Sequence, residues 1–284
     1  MAHGPDDPHG DKEWTVEALD VDAYLERIGH TGDLSPSAQL LHGLHDAHAS
    51  SIPFENLDIM LGRTPGLDMQ TLQGKLLRRS RGGYCYEHNL LFGALLERVG
   101  FRVTRLAARV GAPDRLPPKT HMLLTVEADG RTWLADVGFG AGLRQPMPLQ
   151  PDVEVSQSGW TYRLQRDGDR LWRLMSREGD SWSDLYHFTL EAQHHVDYVM
   201  ANHFTATYPS SPFVQRVVAI RTEPDVRHAL RGNELVTSRP DGSEETRTVA
   251  ADELVHVLGS VFAIRLEPEE GETVRRRAAQ NGQS

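Results

Sequence analysis

At Phe101 the hydrophobic pattern of this chain changes its period, and no other feature limits the fold as strongly. Before that point apolar residues return every three to four positions: Val21, Tyr24, Leu25 and Ile28 behind an Asp20 cap, then Leu40, Leu41 and Leu44, then Leu90, Leu91, Leu95 and Leu96 up to Val99. After it, FRVTRLAARV, HMLLTVEA, RTWLADVG, YRLQRDG and RLWRLMSREG alternate, and the turn signals Asp129-Gly130 and Asp167-Gly168 join them in pairs. WSDLYHFTLEA extends the strand series, HVDYVMANHFTAT returns to helix, and FVQRVVAIR with the pair around Pro240-Asp241-Gly242 returns to strand. ADELVHVLGSVFAI carries the caps and period of a late helix. Helices first, hairpins second and a mixed third region predict an α+β fold.

The expected divisions are a flexible extension over 1–16, a helical domain over 17–100, a β domain over 101–205 and a mixed domain over 206–284. Within the helical part the pattern predicts helices over 35–50, with Pro36 at the first position, and over 69–79. The tail RRRAAQNGQS is expected to fray. Arg78, Arg79 and Arg81 are expected to pack against acidic neighbours such as Glu55 or Glu87.

Forty acidic residues against thirty basic ones give a net charge of -10, which argues against a nucleic-acid binder. No run reaches the ~18 apolar residues of a membrane span, and the first residues lack the basic and apolar regions of a signal peptide, so a cytoplasmic protein is expected. The one cysteine, Cys85, has no partner for an internal disulfide.

Cys85 lies in RGGYCYEHN, where Gly82 and Gly83 allow a tight turn into the helix ending at Gly100. A thiol in the first turn meets the positive end of the helix dipole, which favours the thiolate and predicts a reactive nucleophile. Such a nucleophile needs a base and a group that orients the base. If Asp129 and Gly130 form the turn, Ala128 pairs with Arg131 and Leu123 faces Asp136. His121 is then a diagonal neighbour of Asp136 on the same face. GFGAG, 138–142, follows Asp136 without the strand-to-helix setting of a dinucleotide site and reads as close backbone approach. His42, His45 and His48 do not read as a metal site: the outer two sit about 120° apart around a helix, with no acidic fourth ligand.

Four motifs in order, SIPFENLDIMLG, RGGYCYEHN, PPKTHMLL and WLADVGFG, resemble those of the arylamine N-acetyltransferases, especially the actinobacterial branch, over about 21–264. The resemblance implies a helical first domain, a β-barrel-like second and an α/β lid. It implies Cys85 as the acetyl-accepting nucleophile, His121 as its base and Asp136 as the orienting carboxylate. Phe54, Tyr86, Phe139 and Phe213 match aromatic positions of the acceptor pocket, and Thr120, Gly138 and Gly140 match positions near the coenzyme arm. The implied co-substrate is acetyl-CoA, with no permanently bound cofactor. The implied acceptors are arylamines, arylhydrazines and, through oxygen, N-hydroxyarylamines. Monomer and homodimer are both compatible with the sequence. Three rival readings share its features: a macrolactam-forming amide synthase of the same fold, a transglutaminase-like cysteine hydrolase, and a binding protein with a structural cysteine.

Overall fold

After a short 3-10 turn at Val16–Ala18, five α-helices and one short strand open the computed structural model, which describes residues 13–281. They are α1 (Val21–Ile28), α2 (Ala38–Ser51), β1 (Phe54–Glu55), α3 (Leu57–Met60), α4 (Met69–Leu76) and α5 (Cys85–Arg98). Asp20, Ser37 and Asp68 each cap a helix by accepting a backbone N–H three residues on, from Ala23, Leu40 and Thr71. The start expected at Pro36 is therefore displaced: Ser37 is the cap and the helix begins at Ala38. α5 is the central helix, buried from Cys85 through Leu96.

The second set of strands is β2 (Arg102–Val110), β3 (Lys119–Ala128), β4 (Arg131–Ala135), β5 (Met147–Pro148), β6 (Val153–Gln157), β7 (Trp160–Asp167), β8 (Leu171–Glu178) and β9 (Ser181–Ala192). They form one antiparallel sheet in the order β5-β4-β3-β2-β9-β8-β7-β6, curled into a nearly closed barrel. β3 is buried on both faces: Leu123 joins Leu106, Leu164, Leu174 and Tyr186 in the barrel interior, whereas Met122, Leu124 and Val126 join the helical core. Ala128 pairs with Arg131 and Leu124 with Ala135, the register expected from the Asp129-Gly130 turn.

α6 (His195–Thr207) and α7 (Pro212–Gln215) then lead into a second antiparallel sheet of β10 (Val218–Thr222), β11 (Arg227–Arg231), β12 (Glu234–Ser238) and β13 (Glu244–Thr248). The strand expected over 213–221 is thus split, because Pro212 at the first position starts a turn of helix before Val218. β1 adds itself to the free edge of β10, with Phe54 opposite Ile220 and Glu55 opposite Ala219. Asn56 seals the join: its side-chain amide donates to the carbonyls of Phe213 and Arg216, both at 2.8 Å, its Oδ1 accepts the Val218 N–H at 2.8 Å, and its backbone N–H donates to the Val218 carbonyl at 3.2 Å.

α8 (Leu254–Ser260) and α9 (Pro268–Asn281) complete the chain. Of the tail RRRAAQNGQS expected to fray, the residues as far as Asn281 instead continue α9, with Ala278 packed against the helical core and Arg277 donating to the Ile59 and Met60 carbonyls at 3.4 Å, while residues 282–284 lie outside the described residues. The extension expected over 1–16 lies outside the described residues as far as 12. Glu13 accepts the backbone N–H of His195 at 2.6 Å, and the Arg105 guanidinium lies 4.2 Å over the Trp14 ring, so this part is docked.

Candidate active site

Two segments far apart in sequence make the turn that presents Cys85. Arg81, fully buried, donates to Glu55 at 2.7 Å and to Asp58 at 3.0 Å, and Glu55 donates its backbone N–H to Gly83 at 2.7 Å. A Cβ on Gly82 would lie 1.7 Å from the Pro53 carbonyl oxygen, so only glycine fits there. Glu87 then reaches back to accept the Tyr84 N–H at 3.0 Å, fixing the first turn of α5, and takes a bond from Lys75 at 2.8 Å. Glu55 thus has the arginine partner expected for it, whereas Glu87 is held by a lysine.

Opposite this turn, β3 carries a bulge. Ala108 pairs with His121 and Arg109 with Lys119, which leaves Thr120 without a place in the ladder. The carbonyl of Thr120 accepts the Cys85 thiol at 3.5 Å. Beside it the His121 Nε2–H donates to Asp136 Oδ2 at 2.7 Å, with both side chains buried. Burial opposes a charge on the His121 ring, but Asp136 and the neighbouring Cys85 sulfur outweigh it and raise the imidazole well above its ordinary value. Asp136 is held low in spite of its own burial, by His121, by the Asn89 amide and by the Gly138 N–H, the last two at 3.0 Å. The arrangement is a thiol, a cationic imidazole and a carboxylate in line, able to hold a thiolate and to move one proton.

Asn89 was not singled out by sequence, although it lies one helical turn from Cys85 within the same motif and so on the same face. It also donates to the Met122 carbonyl at 2.7 Å, tying α5 to β3. His45, on α2, is buried beside Asp136. Burial lowers it to about 4, so its neutral Nε2 accepts the Asp136 N–H at 3.0 Å while Nδ1–H donates to the Arg144 carbonyl at 2.8 Å. His48 is equally committed, between Tyr24 and His88. Among the described residues no cluster of His, Cys, Asp or Glu has the spacing of a metal site.

Cys85 and His121 open onto a cavity of about 840 Å³, a size that suits a drug-sized ligand. Phe54, Phe139, Phe213, Thr120 and Gly138 line it. Phe139 stands edge-on to His121 at 5.1 Å, and Phe54 lies 5.9 Å from Phe213. Tyr86 does not reach the cavity: its ring is packed against Tyr84 and Tyr198, and its hydroxyl meets Thr205 at 3.4 Å behind the wall. Gly140 is also set back, in the left-handed region, where a Cβ would meet Phe54 at 3.0 Å. Gly138 shows the close approach read from GFGAG: a Cβ there would lie 2.8 Å from the Cys85 Cα. Phe204, Tyr208, Leu116 and Arg109 also face the cavity, and no motif had marked them.

The N-acetyltransferase family model matches residues 37–271. An arylamine N-acetyltransferase of Mycolicibacterium smegmatis is 39% identical over 272 residues, which cover 93% of this chain and 98% of that one. The crystal structure of the Nocardia farcinica arylamine N-acetyltransferase superposes with a TM-score of 0.90 at 43% identity, covering 95% and 98%. The Mycobacterium marinum enzyme, solved in complex with CoA, superposes at 0.83 with 35% identity, covering 92% and 98%.

Proposed function

Because the chain belongs to the arylamine N-acetyltransferase family, we propose that it moves an acetyl group from acetyl-CoA to an arylamine or arylhydrazine nitrogen, or to the oxygen of an N-hydroxyarylamine, in two steps through Cys85. The observation that carries this reading is the His121–Asp136 bond of 2.7 Å beside the only thiol, at the wall of an aromatic cavity. The CoA complex of the related M. marinum enzyme supports the choice of donor.

In the first step the Cys85 thiolate attacks the thioester carbonyl, a new C–S bond forms, and the bond to the CoA sulfur breaks. The imidazolium of His121 gives its proton to the departing CoA thiolate. In the second step the amine nitrogen attacks the acetyl-cysteine carbonyl, the C–S bond to Cys85 breaks, and neutral His121 takes the proton from the amine. Asp136 holds the ring in one tautomer and balances its charge when it is protonated. Phe54, Phe139 and Phe213 form the slot for a planar amine, while Thr120 and Gly138 serve the coenzyme arm and Gly140, packed against Phe54 and Ile220, supports that wall from behind. Tyr86 acts from behind the wall, by fixing α6 through Thr205.

The test is intact mass after exposure to acetyl-CoA without an acceptor. One added acetyl should map to the Cys85 peptide and disappear on addition of an arylamine with formation of the amide. Labelling of any other residue, or discharge to acetate at the same rate with and without amine, would defeat the proposal.

A further inference from the structure

The turn 138–142 sets Phe139 against His121 and Gly138 against Cys85, yet its backbone does not hold itself. Among the described residues no backbone-to-backbone hydrogen bond involves these positions. A segment without such bonds takes its shape from the side chains that reach it. Its start is fixed by Asp136, which accepts the Gly138 N–H at 3.0 Å. Its far half is fixed by two hydroxyls: Thr222, at the end of β10, donates to the Gly140 carbonyl at 3.0 Å, and Tyr162, on β7 in the barrel interior, donates to the Gly142 carbonyl at 2.8 Å.

A hydroxyl can donate or accept, and one group decides the sense of both. The Arg227 guanidinium, at the start of β11, reaches the Tyr162 oxygen through Nη2 at 3.1 Å and Thr222 Oγ1 through Nε at 3.4 Å. Arginine has donors only, so each hydroxyl must accept from it and turn its own hydrogen to a glycine carbonyl. Burial keeps the Tyr162 phenol protonated against the pull of Arg227, so the hydrogen is there to give. The guanidinium is held in turn over the Trp160 ring, 4.2 Å from its centroid. A lysine has neither the fork nor the plane for this arrangement. The shape it maintains matters at the reacting end. A Cβ on Gly142 would lie 3.0 Å from that of Phe139, so the carbonyl held by Tyr162 and the ring that faces His121 move together.

We propose that Arg227 is a positioning residue for the acceptor slot: it orients the hydroxyls of Tyr162 and Thr222 onto the 138–142 turn and thereby sets the place of Phe139. The inference rests on the reading of the Phe54, Phe139 and Phe213 slot as the acceptor's. It makes arylamine selectivity depend on a residue that does not itself line the cavity.

The experiment compares alkylation of Cys85 by iodoacetamide and by iodoacetanilide, the same reagent carrying a flat ring. The ratio of the two rates reads the slot without any acetyl transfer. Arg227→Met should lower the anilide-to-amide ratio about twofold to tenfold, the worth of one aromatic ring contact, with the iodoacetamide rate itself changed less than about twofold. Tyr162→Phe combined with Thr222→Val removes both hydroxyls and should give the same loss. Adding Arg227→Met to that pair should lower the ratio no further, since an effect transmitted through two groups disappears with them. In steady state KM for an arylamine should rise by the same factor, while release of CoA in the first step keeps its rate.

An unchanged ratio in Arg227→Met overturns the proposal. So does a triple variant that loses the product of the separate effects, or an equal fall with both reagents. Melting temperature identifies a variant that does not fold; should Arg227→Met be one, the hydroxyl pair decides, and a ratio there equal to wild type defeats the proposal. Formation of acetyl-Cys85 from acetyl-CoA is followed separately: its absence would sink the proposed function, while the alkylation ratio still decides Arg227.

Discussion

His45 Nε2 accepts the backbone N–H of Asp136 at 3.0 Å, and the same ring donates from Nδ1 to the Arg144 carbonyl at 2.8 Å. One neutral imidazole on α2 therefore fixes both ends of the segment 136–144, which carries the carboxylate, Gly138 and Phe139. His45→Phe leaves both backbone groups without that partner, and small displacements of a reacting group lower rates by about tenfold to a hundredfold. Cys85 acetylation should slow by that amount, and His45→Gln, which offers an acceptor and a donor, should recover most of it. Equal rates in the wild type and in His45→Phe, measured by stopped-flow release of CoA, would show that the segment holds itself.

Acid should destabilise the fold through two buried neutral histidines. Burial lowers His45 and His88 to about 4, against about 6.5 in an unfolded chain. Between those values the unfolded state binds more protons, so the stability these neutral rings preserve is fully present above about pH 6.5 and lost as pH falls toward 4. The loss is on the order of 3 kcal/mol for each ring. Thermal melts at pH 7.5, 6, 5 and 4 should show a decline beginning near 6.5, shallower in His88→Gln. A melting temperature constant from pH 7 to 5 would contradict the assignment.

Gly138→Ala is expected to damage the site while leaving the barrel intact. The added carbon would lie 2.5 Å from the Asn89 amide nitrogen and 2.8 Å from the Cys85 backbone, so the loop must move off α5. Overpacking of this kind costs about 1–3 kcal/mol. Differential alkylation of Cys85, together with circular dichroism, reports the two effects separately. Unchanged alkylation would mean the loop has room that the structure denies it.

Asp136→Asn removes the charge that raises His121. Burial then dominates, the ring gives up its proton at neutral pH, and the cation beside the Cys85 sulfur is gone. The iodoacetamide rate at pH 7 should fall at least about tenfold, with its profile displaced to higher pH, since each pK unit corresponds to a factor of ten. A superimposable profile would remove Asp136 from the mechanism.

Phe139→Ala probes the slot. Ring contacts of the kind Phe139 offers are worth about 0.5–1.5 kcal/mol each, so KM for arylamines should rise roughly twofold to tenfold. Release of CoA in the first step should change less. Equal loss in both steps would make Phe139 structural filler.

The hairpin register and the approach of His121 to Asp136 were legible because an Asp-Gly turn fixes pairing by arithmetic, and Ala128 does face Arg131. Tyr86 was misplaced for a physical reason: it neighbours Cys85 in sequence, but successive residues on a helix point about 100° apart, so one faces the cavity and the other the core. The role of His45 was not legible because its partner is a backbone N–H, which leaves no trace in side-chain patterns. Periodicity also located α6 without saying which face is buried. Its buried face mixes Tyr198 and Ala206 with Asn202 and Thr205, while Val196 and Met200 are out, so apolar spacing alone does not select it.

The addition of β1 to β10 sets a schedule for synthesis. Phe54 pairs with Ile220, and Asn56 binds the carbonyls of Phe213 and Arg216, so one wall of the cavity is shared between residues more than 150 positions apart. At about 5–20 residues per second a ribosome needs roughly ten to thirty seconds to make that distance. For that interval the nascent chain already holds its cysteine, and later its histidine and aspartate, beside an unpaired strand edge and an open aromatic wall. A message cut short near residue 205 would encode all three reactive groups and still lack the strand that closes the room around them.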